Sequence, residues 1–181
     1  MRLLKTFMLK PAIFIDRDGV INKEKNYLHK KEDFEMEDKA LLGMKSIDFN
    51  KYLVFIISNQ SGIGRGYYSQ EDFKKFDSWL CGFLKKKGIN ISKTYYCPHR
   101  PEEKCSCRKP KIGLLLKAKQ DFNVDLKNSY LIGDKTSDIL AGKRAGCKTI
   151  LVKTGYQGKD KLFSVKADFT ADNLLEAINI I

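Results

Sequence analysis

The stretch AIFIDRDGVIN, residues 12–22, decides the fold. Four apolar residues, Ala12 to Ile15, run without polar alternation and stop abruptly at Asp16-Arg17-Asp18-Gly19. Such a run suits a strand buried on both faces, the pattern of a parallel sheet. Three further runs share the design: 52–57 ending at Ser58, 130–132 ending at Gly133-Asp134, and 149–152. Helical patterns lie between them. The clearest is expected to begin at Ser69, with Glu71 and Asp72 in its first turn and Phe73, Phe76, Leu80 and Phe83 at helical spacing. It closes on Lys85-Lys86-Lys87 before Gly88, so cap, dipole complement and terminator agree. Residues 113–122, 137–145 and 171–178 carry weaker helical patterns. Strands alternating with helices predict an α/β fold. The expectation is a Rossmann-like doubly wound parallel sheet with helices on both faces, in one domain spanning 1–181.

In sheets of this kind the ligand crevice lies beyond the carboxyl ends of the strands. Asp16 and Asp18 stand at the end of the first run and Asp134 at the end of the third. A single aspartate there is ordinarily a turn former or a helix cap. Three in register repel one another, and a hard cation such as Mg²⁺ resolves that. Ser58 and Asn59 end the second run and are followed by Gly62, Gly64 and Gly66. A small hydroxyl with exposed backbone amides suits phosphate oxygens.

The net charge is +12, from 34 basic and 22 acidic residues, with lysines scattered along nearly every segment. A nucleic-acid binder gathers its bases into a stripe or tail, so no nucleic-acid partner is expected. The surplus suits a solvated surface that steers a small anionic substrate. No apolar run approaches the roughly 18 residues of a membrane span. The opening MRLLKTFMLKP lacks the apolar core of a signal peptide and reads as a short extension, which predicts a cytoplasmic protein without a membrane partner. In that compartment cysteines are thiols or metal ligands more often than disulfides.

Three of the five cysteines and one of the two histidines fall in YYCPHRPEEKCSCRKPK, residues 95–111. Cys97, His99, Cys105 and Cys107 offer three thiolates and an imidazole, a set that suits a closed tetrahedral Zn²⁺ site. The spacing is not that of a common finger, and by itself leaves a redox pair or unrelated loop thiols open. Cys81 and Cys147 are expected as buried core thiols.

FIDRDGVIN (14–22), SNQSGIGRG (58–66), CRKPK (107–111) and GDKTSDI (133–139) together resemble, in order and spacing, the four motifs of the haloacid dehalogenase superfamily of aspartate-nucleophile phosphotransferases. Within it, DRDGVIN, NYLHKKEDFE (26–35) and the Cys/His cluster are similar to the heptose 1,7-bisphosphate phosphatases and the related histidinol-phosphate phosphatases. The resemblance implies a Mg²⁺-dependent phosphatase with a minimal cap, removing the C7 phosphate of a heptose bisphosphate in lipopolysaccharide-core biosynthesis. Histidinol phosphate is the alternative substrate, because the short gap before Cys105 also occurs in that group. By the same resemblance Asp16 is the nucleophile, Asp18 the acid and base, and Ser58 and Lys109 bind the transferring phosphoryl group. Mg²⁺ is held by Asp16, the Asp18 carbonyl, Asp134 and the Lys135 carbonyl, and Asp138 either supports the metal or opens a helix. Glu24, Lys25, Asn26, Tyr27, Asn59, Gln60, Ser61 and Arg108 contact the substrate. Zn²⁺ on Cys97, His99, Cys105 and Cys107 fixes the loop that carries Arg108 and Lys109. The partner is a sugar bisphosphate, and a monomer is expected.

Overall fold

The computed structural model describes residues 9–181, so the first eight residues of the expected N-terminal extension lie outside the described residues. The strands are β1 (Ala12–Ile15), β2 (Leu53–Asn59), β3 (Lys93–Cys97), β4 (Tyr130–Gly133), β5 (Lys148–Val152) and β6 (Phe169–Ala171). They form one sheet in the order β3-β2-β1-β4-β5-β6, with every neighbouring pair parallel. Ile15 stands opposite both Ile56 and Ile132, so β1, β2 and β4 deliver their ends to the same edge. The strand order reverses between β1 and β4, and a crevice opens there beyond the carboxyl ends.

Among the described residues six α-helices accompany the strands: α1 (Ala40–Lys45), α2 (Ser61–Gly64), α3 (Gln70–Lys86), α4 (Gly113–Phe122), α5 (Thr136–Ala145) and α6 (Leu174–Asn179). The apolar runs divide by alternate residues. Ile13, Ile15, Val54 and Ile56 pack with Met44 of α1, Leu80 of α3 and Leu174 of α6. Ala12, Phe14, Phe55 and Ile57 pack with Leu114 and Leu115 of α4 and Ala141 of α5. Both faces of the sheet are therefore covered, which is why the strands read as unbroken apolar runs. Helix α3 begins in a capping box: Ser69 Oγ accepts from Asp72 N at 3.0 Å and Asp72 Oδ2 accepts from Ser69 N at 2.9 Å. Its buried face is Phe73, Phe76, Leu80 and Leu84, with Phe83 only half-buried beside it.

Two departures from the sequence reading have simple causes. Strands β3 and β6 lie at the sheet edges and expose Lys93 and Phe169 respectively, so neither shows the apolar run that marks a central strand. Ala171 closes β6 instead of opening a helix; α6 starts at Leu174, after Asn173 caps it by accepting from Glu176 N at 3.1 Å. Ser58 and Asn59 are the last two residues of β2, at the strand end where the sequence places them. Cys147 is buried as expected, whereas Cys81 is only half-buried, with Sγ 3.8 Å from Thr94 Oγ1.

Candidate active site

Asp16 leaves β1 with its amide donating to the Ile132 carbonyl at 2.9 Å, which ties it to β4. Lys109 reaches it from the other side of the chain. Its Nζ lies 2.7 Å from Asp16 Oδ1, 2.6 Å from Asp138 Oδ1 and 2.9 Å from the Ile57 carbonyl. Asn59 clamps the Lys109 backbone through Lys109 N to Oδ1 at 3.0 Å and Nδ2 to Lys109 O at 3.2 Å. The side chains of Asp16, Asp134 and Asp138 are buried, with an oxygen of each within 4.8 Å of the others. Asp134 Oδ2 accepts from Tyr156 N at 2.8 Å, while Oδ1 is buried without a hydrogen-bond partner. Gly19, at φ +87°, lets the β1 loop cross this carboxylate: an added Cβ would collide with Asp134 and come within 3.2 Å of Gly155 Cα.

The electrostatics follow from that crowding. Burial pushes the Asp16 carboxyl up to about 7, with Lys109 opposing and Asp138 adding to the rise. Burial, then the charges of Asp16 and Asp138, push Asp134 up to about 8. Burial alone would lower Lys109, but Asp138 and Asp16 outweigh it and hold the ammonium above its usual range. A site with three crowded carboxylates, one of them holding an unpartnered oxygen, fits a hard divalent cation. The pH dependence has a definite sign. A carboxyl raised in the folded state binds more protons there than in the unfolded chain, so stability is lost as pH climbs from the unfolded value to the folded one. Without divalent metal, thermal melting should therefore weaken between about pH 4 and pH 8, the window set by Asp16 and Asp134. Millimolar Mg²⁺ should flatten that decline. A melting temperature that rises with pH in EDTA would contradict the assignment.

Asp18 is held differently. Its Oδ1 accepts from Arg17 Nε and Nη2 and from Asn22 Nδ2 at 2.9–3.1 Å, and its Oδ2 accepts from Arg17 Nη2 at 2.9 Å and Gln60 Nε2 at 3.0 Å. Burial would raise this carboxyl, but the Arg17 charge and these bonds keep it below the usual range. Gln60 is itself oriented by the Tyr68 hydroxyl, 2.5 Å from Oε1, so that its amide NH₂ faces Asp18 and Ser58. His29 stacks on Tyr68 at 4.6 Å and serves this packing. The guanidinium of Arg17 lies 5.0 Å from the Phe76 ring centre, buried under α3.

A cavity of about 630 Å³ covers these groups. Asp16, Asp18, Glu24, Asn26, Tyr27, Ser58, Asn59, Gln60, Ser61, Arg108, Lys109 and Lys135 line it, as the sequence reading placed them together. Asn59 and Gln60 spend their amides on Lys109, Asp18 and Ser58, which makes them supports for those groups. Lys25 is turned away, donating to Asp33 O and pairing with Glu35 at 3.3 Å. The Lys135 carbonyl accepts from Asp138 N and Ile139 N at the start of α5, and Asp138 brings a further carboxylate oxygen within 4.8 Å of those of Asp16 and Asp134. Asp138 opens the helix, its Oδ2 accepting from Lys135 N at the start of α5, and its Oδ1 holds Lys109. The Lys135 side chain pairs with Glu24 at 2.9 Å and lies 4.3 Å from the Tyr156 ring centre. Tyr68, Tyr156, Asp160 and Phe163 also line the cavity and were missed. Tyr156 follows β5, so the strand-end rule that selected Asp16 and Asp134 could have found it.

The cysteine cluster stands at the end of β3. Cys105 Sγ lies 3.5 Å from both Cys97 Sγ and Cys107 Sγ, and His99 Nδ1 lies 3.6 Å from Cys97 Sγ and 3.3 Å from Cys107 Sγ. Zinc bonds of about 2.3 Å to sulfur and about 2.0 Å to nitrogen set tetrahedral edges of about 3.5–3.8 Å, so the four groups fit Zn²⁺. The amide of Arg108 donates to Cys105 Sγ at 3.4 Å, joining the cluster to the residue beside Lys109.

An aspartate-bearing strand end, a buried lysine and a crowded carboxylate group at the switch point of a parallel sheet fit a phosphatase of the haloacid dehalogenase type. A family model of HAD-like hydrolases matches residues 106–177. The chain is 48% identical over 151 residues to a D-glycero-α-D-manno-heptose-1,7-bisphosphate 7-phosphatase of Photorhabdus laumondii, covering 79% of this chain and 82% of the relative. It is 38% identical over 179 residues to the corresponding β-anomer phosphatase of Haemophilus ducreyi, covering 94% and 96%. Its structure is similar, with a TM-score of 0.84 and 26% identity over 94% of this chain and 97% of the other, to D,D-heptose 1,7-bisphosphate phosphatase from B. bronchiseptica complexed with magnesium and phosphate. The chain belongs to the D-glycero-D-manno-heptose 1,7-bisphosphate 7-phosphatase family. It is a phosphatase, and the similarity favours heptose over histidinol phosphate as the family's substrate. No helix among the described residues is long and apolar enough to cross a membrane.

Proposed function

We propose that this chain hydrolyses the 7-phosphate of D-glycero-D-manno-heptose 1,7-bisphosphate through a phosphoryl group carried on Asp16. The observation that carries the reading is Asp16, buried at the β1 end, with Lys109 Nζ 2.7 Å away at the switch point. An Asp16 oxygen attacks phosphorus, the bond from phosphorus to the sugar oxygen breaks, and its electron pair leaves on that oxygen. Asp18 supplies the proton to the leaving oxygen and later takes one from the attacking water. Its five hydrogen bonds favour the carboxylate, the form the second step uses; donating in the first step requires Oδ2 to leave Gln60 and Arg17. Ser58 and Lys109 hold the transferring oxygens, and Glu24, Asn26 and Tyr27 wall the sugar side. Asp16, Asp134 and the carbonyls of Asp18 and Lys135 would hold Mg²⁺, which when bound offsets the charge between carboxylate and phosphate, while Asp138 holds Lys109 beside them. Cys97, His99, Cys105 and Cys107 would hold a structural Zn²⁺ that sets the 97–111 loop.

Phosphate release with Mg²⁺ from the α and β heptose 1,7-bisphosphates and from histidinol phosphate tests the reading. A kcat/KM at least tenfold higher for one heptose anomer than for histidinol phosphate is expected. Equal turnover of all three would overturn it.

A further inference from the structure

We propose that Arg144 and Lys111 join Arg108 in a second phosphate subsite at the cavity mouth, which grips the phosphate that is not transferred. The inference rests on the bisphosphate reading above and extends it to Arg144, outside the four motifs, and to Lys111, which ends the third motif that carries Arg108 and whose place in the sequence fits a solvated role as well.

Lys104, Arg108, Lys111 and Arg144 line the cavity that also holds Asp16, with Lys111 Nζ on the Lys104 carbonyl and Arg144 Nη1 on the Pro110 carbonyl. The cavity's carboxylates are already engaged: Asp16 and Asp138 by Lys109, Asp18 by Arg17, Glu24 by Lys135, and Asp160 by Thr136. None of the four rim cations forms an ion pair among the described residues. Neutral carbonyls hold three of them. Arg144 Nη1 donates to Pro110 O at 3.2 Å, Lys111 Nζ to Lys104 O at 2.8 Å and Cys105 O at 2.5 Å, and Arg108 Nη1 to His99 O at 3.5 Å.

Those carbonyls fix position without neutralising charge, and a phosphate dianion supplies what is missing. Every one of them belongs to residues 99–110, the segment that also carries Lys109 to Asp16. A phosphate seated on this rim is therefore held in register with the phosphoryl group under attack. Arg144 also lies in the last turn of α5, where a cation complements the helix dipole. That purely structural role predicts no dependence on which substrate is used.

The test compares Arg144→Gln, Lys111→Gln and the double variant on two substrates, the heptose 1,7-bisphosphate and the heptose 7-phosphate that lacks the second phosphate. KM for the bisphosphate should rise roughly tenfold in each single variant, the scale of one lost charge-assisted hydrogen bond, and further in the double variant. On the 7-phosphate, kcat and KM should change by less than twofold. Equal losses on both substrates, or no change on either, would overturn the subsite. A wild-type protein that shows no preference for the bisphosphate would overturn the functional reading and the subsite with it. A wild-type preference that survives in the double variant would overturn the subsite alone.

Discussion

Asp16→Asn should lower phosphate release by about 10⁴-fold or more, the scale on which removing a nucleophile acts in other covalent hydrolases. The amide is isosteric and its oxygen can still accept from Lys109, so the loss would report chemistry and not collapse. Stability supplies the internal control. The Asp16 carboxyl is pushed up to about 7, first by burial and then by Asp138, so above that pH its charge costs folding energy. A neutral amide removes the cost. Metal-free Asp16→Asn should thus melt no lower than the wild type at pH 8, and above it if the repulsion dominates. Phosphate release within tenfold of the wild type would remove Asp16 from the nucleophile role.

Lys109→Met should be damaging in both activity and stability. Lys109 is 4% exposed and its ammonium lies between Asp16 and Asp138, so its loss leaves two buried carboxylates facing each other. Breaking a buried pair by removing one partner costs about 3–5 kcal/mol. Protonation of the carboxylates relieves part of that cost, so the melting deficit should be larger at pH 8 than at pH 5. The same change removes a fixed cation from the transferring phosphoryl group, worth about 10²–10³ in kcat. Urea unfolding and steady-state kinetics at the two pH values would check both effects. A variant with the wild-type kcat, or one whose deficit grows towards pH 5, would contradict this arrangement.

The parts legible in the sequence are those where one residue's neighbours along the chain determine its role. Asp16, Asp134 and Ser58 end apolar runs, and a buried parallel strand must deliver its last polar residue to the same edge. Helix α3 was readable because cap, acids, apolar spacing and lysines all lie within one segment. Lys109 is different: it meets Asp16 across 93 residues, and only the motif order pointed to it. The Asn59 clamp, the Tyr68–Gln60–Asp18 chain and the orphaned Asp134 oxygen arise from tertiary contacts that no local pattern encodes. Arg144 was hidden for a further reason. At the end of a helix a basic residue is expected whatever the protein does, so its position in the cavity wall gives no signal in the sequence.

The cysteine cluster falls between these cases. Its ligand types suggested zinc, while its spacing left other chemistry open. Sulfur and nitrogen atoms 3.3–3.6 Å apart convert that suggestion into a geometric fit. They also connect it to the reaction through Cys105 and the Arg108 amide.

The central claim is that the phosphoryl group passes through Asp16. Acid-quenching a single turnover of heptose 1,7-bisphosphate, followed by borohydride reduction and peptide mass spectrometry, tests it most directly. The account predicts a reduced, formerly phosphorylated side chain at Asp16 that appears before free phosphate. Phosphate released in that turnover with no such mark at Asp16, or with the mark on another residue, would contradict it.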